Sequence, residues 1–238
     1  MVDAAIVGLG WWGKNIVNAV QGKCPQLRFV RGVTQEIAET EAFASRHGIP
    51  LTDTLESALA DPKVEVVVLA TPHSLHAEQI VATARAGKHV FCQKPLAHTV
   101  WECRQMRLWA EKRGVVTQMG NQIHSAVEYR LATRFLREGL IGKVKEVHSW
   151  VAVGGNERTC LLEPPAETAP VPAGLDWDLW LGAAPARPYS PGLYHPFAWR
   201  DWQDFGGGAL GDFGCHILDP VFTGLGLTAP LSITAENS

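Results

Sequence analysis

The first half of the chain alternates short apolar blocks with stretches whose apolar residues recur at helical spacing. Residues 4–10 (AAIVGLG) read as a buried strand ending on glycines, with a helix expected from Gly13 to Val20. LRFVRGV (27–33) is a second strand, and QEIAETEAFASRHG (35–48), apolar at 37, 38, 42 and 44, predicts a helix stopped by Gly48. Asp53 with Glu56 three residues on forms a capping box before a short helix. VEVVVLA (64–70) is almost unbroken β-branched sequence, as a central parallel strand covered on both faces requires. A helix over 73–86 ends at Gly87, KHVFC (88–92) is the next strand, and Thr99 with Glu102 caps a helix reaching Lys112 and stopped by Gly114. VVTQMG (115–120) closes the series. About five strand-helix alternations before residue 121 predict an α/β fold with an open, doubly wound parallel sheet.

The rhythm then changes. SAVEYRLATRFLREG (125–139) is an amphipathic helix, and KVKEVHSWVAV (143–153) alternates polar and apolar residues like a half-exposed strand of a second sheet. Residues 154–175 are rich in proline and read as a long loop, a kind of segment that tends to be functional. DWDLWLG (176–182) is expected to make one or two helical turns, 208–226 a helix, and PLSITAE (230–236) the start of another strand. The domains divide at 1–121 and 122–238. Two evident strands leave the second sheet unfinished, so the chain is expected to be a fragment or to have its sheet completed by another copy, as a homo-oligomer (dimer or tetramer) joined through that sheet.

Composition narrows the class. Of the 238 residues 46% are apolar and 19% charged, which suits a globular protein and neither a disordered nor a fibrous one. Twenty-one basic against 24 acidic residues, with no basic tract, argue against a nucleic-acid partner. Five scattered cysteines without a CxxC pair argue against a disulfide framework or structural zinc and for a reducing, cytoplasmic setting. No apolar run reaches the roughly 18 residues of a membrane span, and strand-like sequence from Met1 leaves no room for a signal peptide. Trp177, Trp180, Trp199 and Trp202 fall close together; they suit stacking against a sugar-like ligand and serve equally as core or subunit contacts.

The chemistry gathers at strand ends. GLGWWG (8–13) has G-x-G-x-x-G spacing after a buried strand: Gly8 for the tight turn, Gly10 for backbone approach to a pyrophosphate, Gly13 for close helix packing, with Trp11 and Trp12 beside the cofactor. Thr34 stands near the position where a carboxylate would bond the adenosine ribose, with Arg31 upstream and Glu36 just beyond, which leaves NAD or NADP open. Thr71 and Pro72 leave the central strand at the ligand-binding edge, and His73 and His76 behind them are ligands or helix-start packing. Lys94, held extended by Pro95, offers an ammonium to a substrate hydroxyl and to the charge growing on its oxygen as hydride leaves. Asp212 and His216, at i and i+4, face one side of a helix; if that side faces a nicotinamide, His216 takes the hydroxyl proton and Asp212 orients the substrate or tunes its neighbours, the alternatives being ordinary helix-surface residues or a metal pair, which lacks a third ligand nearby.

Together VGLGWWG, TPHSLHAEQIVATARAGKHVFCQKP and GALGDFGCHILD resemble the Gfo/Idh/MocA family across essentially the whole chain. The resemblance implies an N-terminal Rossmann domain, a second α+β domain with a predominantly antiparallel open sheet that is incomplete here, and an NAD(P)-dependent oxidoreductase of sugars, cyclitols or polyols. It implies that Lys94 is the catalytic lysine and that Asp212 and His216 are its partners. The family's Glu-Lys-Pro is Gln93-Lys94-Pro95 in this chain, which removes a charge beside the lysine. MGNQIHS (119–125) resembles the crossing into the second domain, bringing Asn121 and Gln122 toward the cofactor with Gln93 and His76, and His124 toward substrate. YHPFAWRDWQDFGGG (194–208) resembles a substrate-side region in which Tyr194, His195, Trp199 and Arg200 meet hydroxyls or a carboxylate. Two alternatives accompany the dehydrogenase: a glycosidase that oxidises, eliminates and reduces on one bound NAD, and a non-catalytic NAD(P)-binding relative.

Overall fold

The computed structural model describes residues 1–151, 168–182, 184–194, 198–202, 204–206 and 208–236. The chain forms two compact units, Met1–Gly120 and Asn121–Ser238. In the first, β1 (Val2–Val7), α1 (Trp11–Val20), β2 (Leu27–Val33), α2 (Ile37–His47), β3 (Leu51–Thr52), α3 (Leu55–Ala60), β4 (Val66–Leu69), α4 (His76–Arg85), β5 (His89–Gln93), α5 (Val100–Arg113) and β6 (Thr117–Gly120) alternate without a break, apart from a 3-10 turn at His73–Leu75. The six strands lie in the order β3-β2-β1-β4-β5-β6, every pair parallel. Strand order reverses between β1 and β4, so the crevice for a ligand opens at their C-terminal ends.

The two-residue period of a strand explains why the central strands are apolar on both faces. In β1, Ala4 and Ile6 pack on one face with Val17 and Phe29, while Ala5 and Val7 pack on the other with Leu69, Ile80 and Val90. Helix stops follow the sequence: Gly48 and Gly114 adopt left-handed φ of 65° and 63° after α2 and α5. Thr99 and Glu102 complete a reciprocal capping box on α5.

Three local expectations are corrected. α1 begins at Trp11, directly on Gly10, two residues before the expected start. The cap of α3 is Thr54, whose hydroxyl accepts the Ser57 amide at 3.4 Å, because Asp53 still belongs to the turn leaving β3. β3 itself, unforeseen, is pinned by Gly32 N–H to Pro50 O (2.9 Å) and Thr34 N–H to Thr52 O (3.0 Å).

The second unit carries a 3-10 turn (Gln122–Ser125), α6 (Val127–Arg137), α7 (Trp177–Leu181), a 3-10 turn (Ala198–Asp201) and α8 (Gly208–Leu225). α6 lies against α8 closely enough that a Cβ on Gly224 would sit 2.6 Å from Leu136 Cδ1. Trp177, Leu181, Tyr189, Tyr194 and Trp202 form a separate aromatic core. Neither 143–151 nor 230–236 forms a strand, contrary to the expectation from their alternation. A strand is held by ladder bonds to a neighbour, and Val147, Trp150, Leu231 and Ile233 stand exposed here with no such neighbour among the described residues. Residues 152–153 of the first of these segments, and 154–167 of the expected loop, lie outside the described residues.

Candidate active site

The β1–α1 turn is built to admit an anion. Gly8 has φ of +89°, and a Cβ there would lie 2.6 Å from the Ala70 carbonyl oxygen, so β1 and β4 close on each other only over glycine. A Cβ on Gly13 would lie 1.9 Å from the Gly8 oxygen, whereas one on Gly10 would meet nothing within 4 Å. Gly13 is thus fixed by packing inside the protein, and Gly10 is bare toward open space. No side chain caps α1 and no acid sits in its first turn, which leaves the first amides and the positive end of the helix dipole to an incoming phosphate. Trp11 is 77% exposed and leans on Trp12 beside this turn. The turn opens into a crevice of about 580 Å³ whose walls include Thr34, Glu36, Asp53, Glu56, Thr71 and Pro72.

Two loops at the same sheet edge are tied together by a buried imidazole. His76, 1% exposed, places Nδ1 2.7 Å from the Pro95 carbonyl and Nε2 3.0 Å from the Thr71 carbonyl. Both ring nitrogens are therefore engaged with backbone, so His76, expected among the cofactor ligands, instead braces the two loops from inside the protein. Thr71 donates to Gln79 Oε1 at 2.7 Å. Lys94 stands on the loop that His76 holds, half-buried, at a cis Lys94–Pro95 bond. The Gln93 amide lies over Gly120, where a Cβ would come within 2.7 Å of it. Cys92, behind the loop in the sheet, is 1% exposed, and burial pushes its thiol up to about 12.

In the second unit α8 presents Asp212, His216 and Asp219. Asp212 is paired with Arg200 at 3.3 Å, and Arg200 also stacks on Trp199 at 4.4 Å. The Phe213 ring stands edge-on to His216 at 5.9 Å. Asn121 donates to the Cys215 carbonyl (2.7 Å) and to Asp219 Oδ2 (3.3 Å), the same oxygen that meets His124 Nδ1 at 2.7 Å. Burial pushes the Asp219 carboxyl up, but contacts from Tyr129, His124 and Thr223 outweigh it and hold the group below its usual range. Tyr194, expected to face substrate, is fully buried among Trp177, Trp180 and Trp202, so its ring packs the aromatic core. Gln122 begins the turn that carries His124, and His195 lies outside the described residues.

Residues 2–121 match the family model described as an oxidoreductase family, NAD-binding Rossmann fold, and residues 156–238 match its C-terminal alpha/beta domain. The chain belongs to the Gfo/Idh/MocA family. Among family relatives, it is 39% identical over 103 residues to a 1,5-anhydro-D-fructose reductase of Ensifer adhaerens, covering 43% of this chain and 31% of that protein. It is 30% identical over 148 residues to a 2,7-anhydro-N-acetylneuraminate hydratase of Mediterraneibacter gnavus, covering 62% of this chain and 39% of that one. The WlbA dehydrogenase of Chromobacterium violaceum, solved with NADH and UDP-GlcNAcA, superposes with a TM-score of 0.53 at 25% identity over 58% of this chain and 40% of its own. The matches thus span well under half the length of each of these proteins.

As a Gfo/Idh/MocA chain, the first unit is an NAD(P)-binding Rossmann domain, and its glycine cradle fits the pyrophosphate such a domain holds. Sequence reading reached Glu36, just beyond Thr34, but not the acidic wall it shares with Asp53 and Glu56. These three line the crevice, and no lysine or arginine does among the described residues. Asp53 and Glu56 join Thr34 only because the two-residue β3 pairs with β2, and two residues are too few to show a period. Asp219 was visible three residues after His216, but its partner His124 lies 95 positions away and no local spacing links them.

Proposed function

We propose that the whole protein transfers a hydride between NAD(P) and a secondary hydroxyl of a sugar, cyclitol or related polyol. What supports the reading most is the cradle at Gly8, Gly10 and Gly13 in a chain of this family, with bare backbone and free helix amides where a pyrophosphate would rest. The bound nicotinamide supplies a hydride acceptor. Lys94 donates a hydrogen bond to the substrate oxygen and stabilises its growing negative charge, His216 accepts the hydroxyl proton on its imidazole, and Asp212, paired with Arg200, orients the substrate. Gly8, Gly10, Trp11, Trp12, Gly13, Thr34, Thr71, Pro72, Gln93, Asn121 and Gln122 bind the cofactor in this reading. Trp199 and Arg200 serve the substrate side.

The test is absorbance at about 340 nm with a panel of polyols and sugars, anhydro sugars among them, first with wild type and then with Lys94→Met. Charge stabilisation of this kind contributes about 100-fold or more to turnover, so the variant should lose that much while its cofactor affinity stays within roughly 2-fold. Undiminished turnover in the variant would remove Lys94 from the chemistry.

A second reading keeps the cofactor but returns the hydride to the substrate within one cycle. The resemblance to a protein named a hydratase favours it, since adding water is no net oxidation. Substrate consumed without any lasting signal at 340 nm, by protein that purifies with its cofactor, would select this reading over the first.

A further inference from the structure

His76 is the only buried histidine among the described residues, and the reaction just proposed gives it no part in the chemistry. Its Nδ1 lies 2.7 Å from the Pro95 carbonyl oxygen and its Nε2 3.0 Å from that of Thr71. A carbonyl oxygen only accepts, so each of these contacts is a hydrogen bond only if the nitrogen carries a proton. A neutral imidazole has one N–H and one lone pair, and in either tautomer one nitrogen would aim that lone pair at an oxygen. With the residue 1% exposed, bulk water cannot step in, and an unmade bond in the interior costs more than one that was never offered. An imidazolium donates from both nitrogens, and 2.7 Å is a separation typical of charge-assisted bonds.

We propose that His76 is an imidazolium in the folded protein, a positioning residue whose two N–H groups hold the Thr71 and Pro95 carbonyls and thereby set where Lys94 stands. This rests on the reading of Lys94 as the group that meets the substrate oxygen, and adds what keeps its loop fixed to the crevice wall at Thr71. The surroundings suit a charge met by carbonyl dipoles, since no carboxylate reaches the ring among the described residues. Glu78, two positions on in α4, is exposed, and Glu102 accepts the His98 and Thr99 amides at 2.8 and 2.9 Å. His73 and His98 stand on the same two loops with their rings edge-on at 4.9 Å. Burial, then the charges of His98 and His76, hold the His73 imidazole below its usual range, which keeps a second positive charge off this lip. When rising pH takes one proton from the His76 ring, one of the two carbonyls loses its donor and the loops part.

The experiment is nitrogen-15 NMR of histidine-labelled wild-type protein at neutral pH, with hydrogen-exchange mass spectrometry on wild type and His76→Phe. A ring closed to solvent protects its N–H protons, so His76 should stand out as one imidazole with two protonated, slowly exchanging nitrogens, missing from the variant's spectrum. Exchange over residues 93–99 should be about 10-fold or more faster in the variant, which leaves both carbonyls unpaired. In wild type the same segment should quicken, beyond the intrinsic effect of pH, as the ring loses its second proton, a step the variant lacks. A buried ring with a single protonated nitrogen at neutral pH overturns the proposal, as does equal exchange over 93–99 in the two proteins. The wild-type spectrum decides the charge even if His76→Phe does not fold. Neither measurement needs turnover: inactivity on every polyol would remove the dehydrogenase reading, and the proton count of the ring would still decide this one.

Discussion

Alanine at Gly10 and alanine at Gly13 should fail in different ways, although three residues separate them in one loop. At Gly13 the new methyl would lie 1.9 Å from the Gly8 carbonyl oxygen, a backbone atom that is itself locked at φ +89° beside Ala70. The two must part by roughly 1 Å or more to reach ordinary contact, and such overpacking destabilises by about 1–3 kcal/mol. For a unit of this size that is a fall in melting temperature of roughly 4–15 °C, with cofactor affinity lost alongside. At Gly10 the methyl meets nothing within 4 Å, and φ of −68° suits alanine, so stability should hold within about 1 kcal/mol. The same methyl fills the space through which backbone approaches a pyrophosphate, so the dissociation constant for NAD(H) should rise about 10-fold or more, some 1.4 kcal/mol. Circular dichroism melts and calorimetric titration with NADH separate the two. A Gly10→Ala chain that binds NADH as tightly as wild type would show that the pyrophosphate does not cross Gly10, and Gly8 and Gly13 would then serve packing alone.

The acidic wall predicts cofactor choice: with Glu36, Asp53 and Glu56 on the crevice and no lysine or arginine there among the described residues, NADH should bind about 10-fold or more tightly than NADPH, and Glu36→Lys should narrow that ratio; equal affinities in wild type would exclude electrostatic selection there. Cysteine labelling tests the burial of the sheet. Alkylation needs thiolate, and burial pushes Cys92 up to about 12, so iodoacetamide at about pH 8.5 should modify exposed Cys103 and spare Cys92 until the chain unfolds. Peptide mass spectrometry showing equal labelling of the two in native protein would mean that β5 is open to solvent.

The first unit was legible because parallel strands buried on both faces must be apolar without interruption, as Ala4–Val7 and Val66–Leu69 are, and because Gly48 and Gly114 stop helices in the left-handed conformation that glycine adopts at least cost. What escaped there is what pairing decides: β3, and with it the company that Asp53 and Glu56 keep with Thr34. The second unit was harder for a different reason. Trp177, Trp180, Tyr194 and Trp202 have no period to report which way they point, and the composition of an aromatic core is that of a sugar platform. Residues 143–153 alternate correctly for a strand, but alternation marks only the willingness of a segment to join a ladder, and the ladder depends on a neighbour. Lys94, Asp212 and His216 are candidates that local sequence can offer, while the His124–Asp219 pair needed the fold to bring positions 95 apart together.

His76 joins the ends of two strands into one mechanical part. Its ring bridges the carbonyls of Thr71 and Pro95, so a shift in either loop is transmitted to the other through a side chain with no room to turn. Anyone redesigning this crevice for another substrate would do well to transplant residues 70–98 as a block, because a loop exchanged alone would drag the lysine with it.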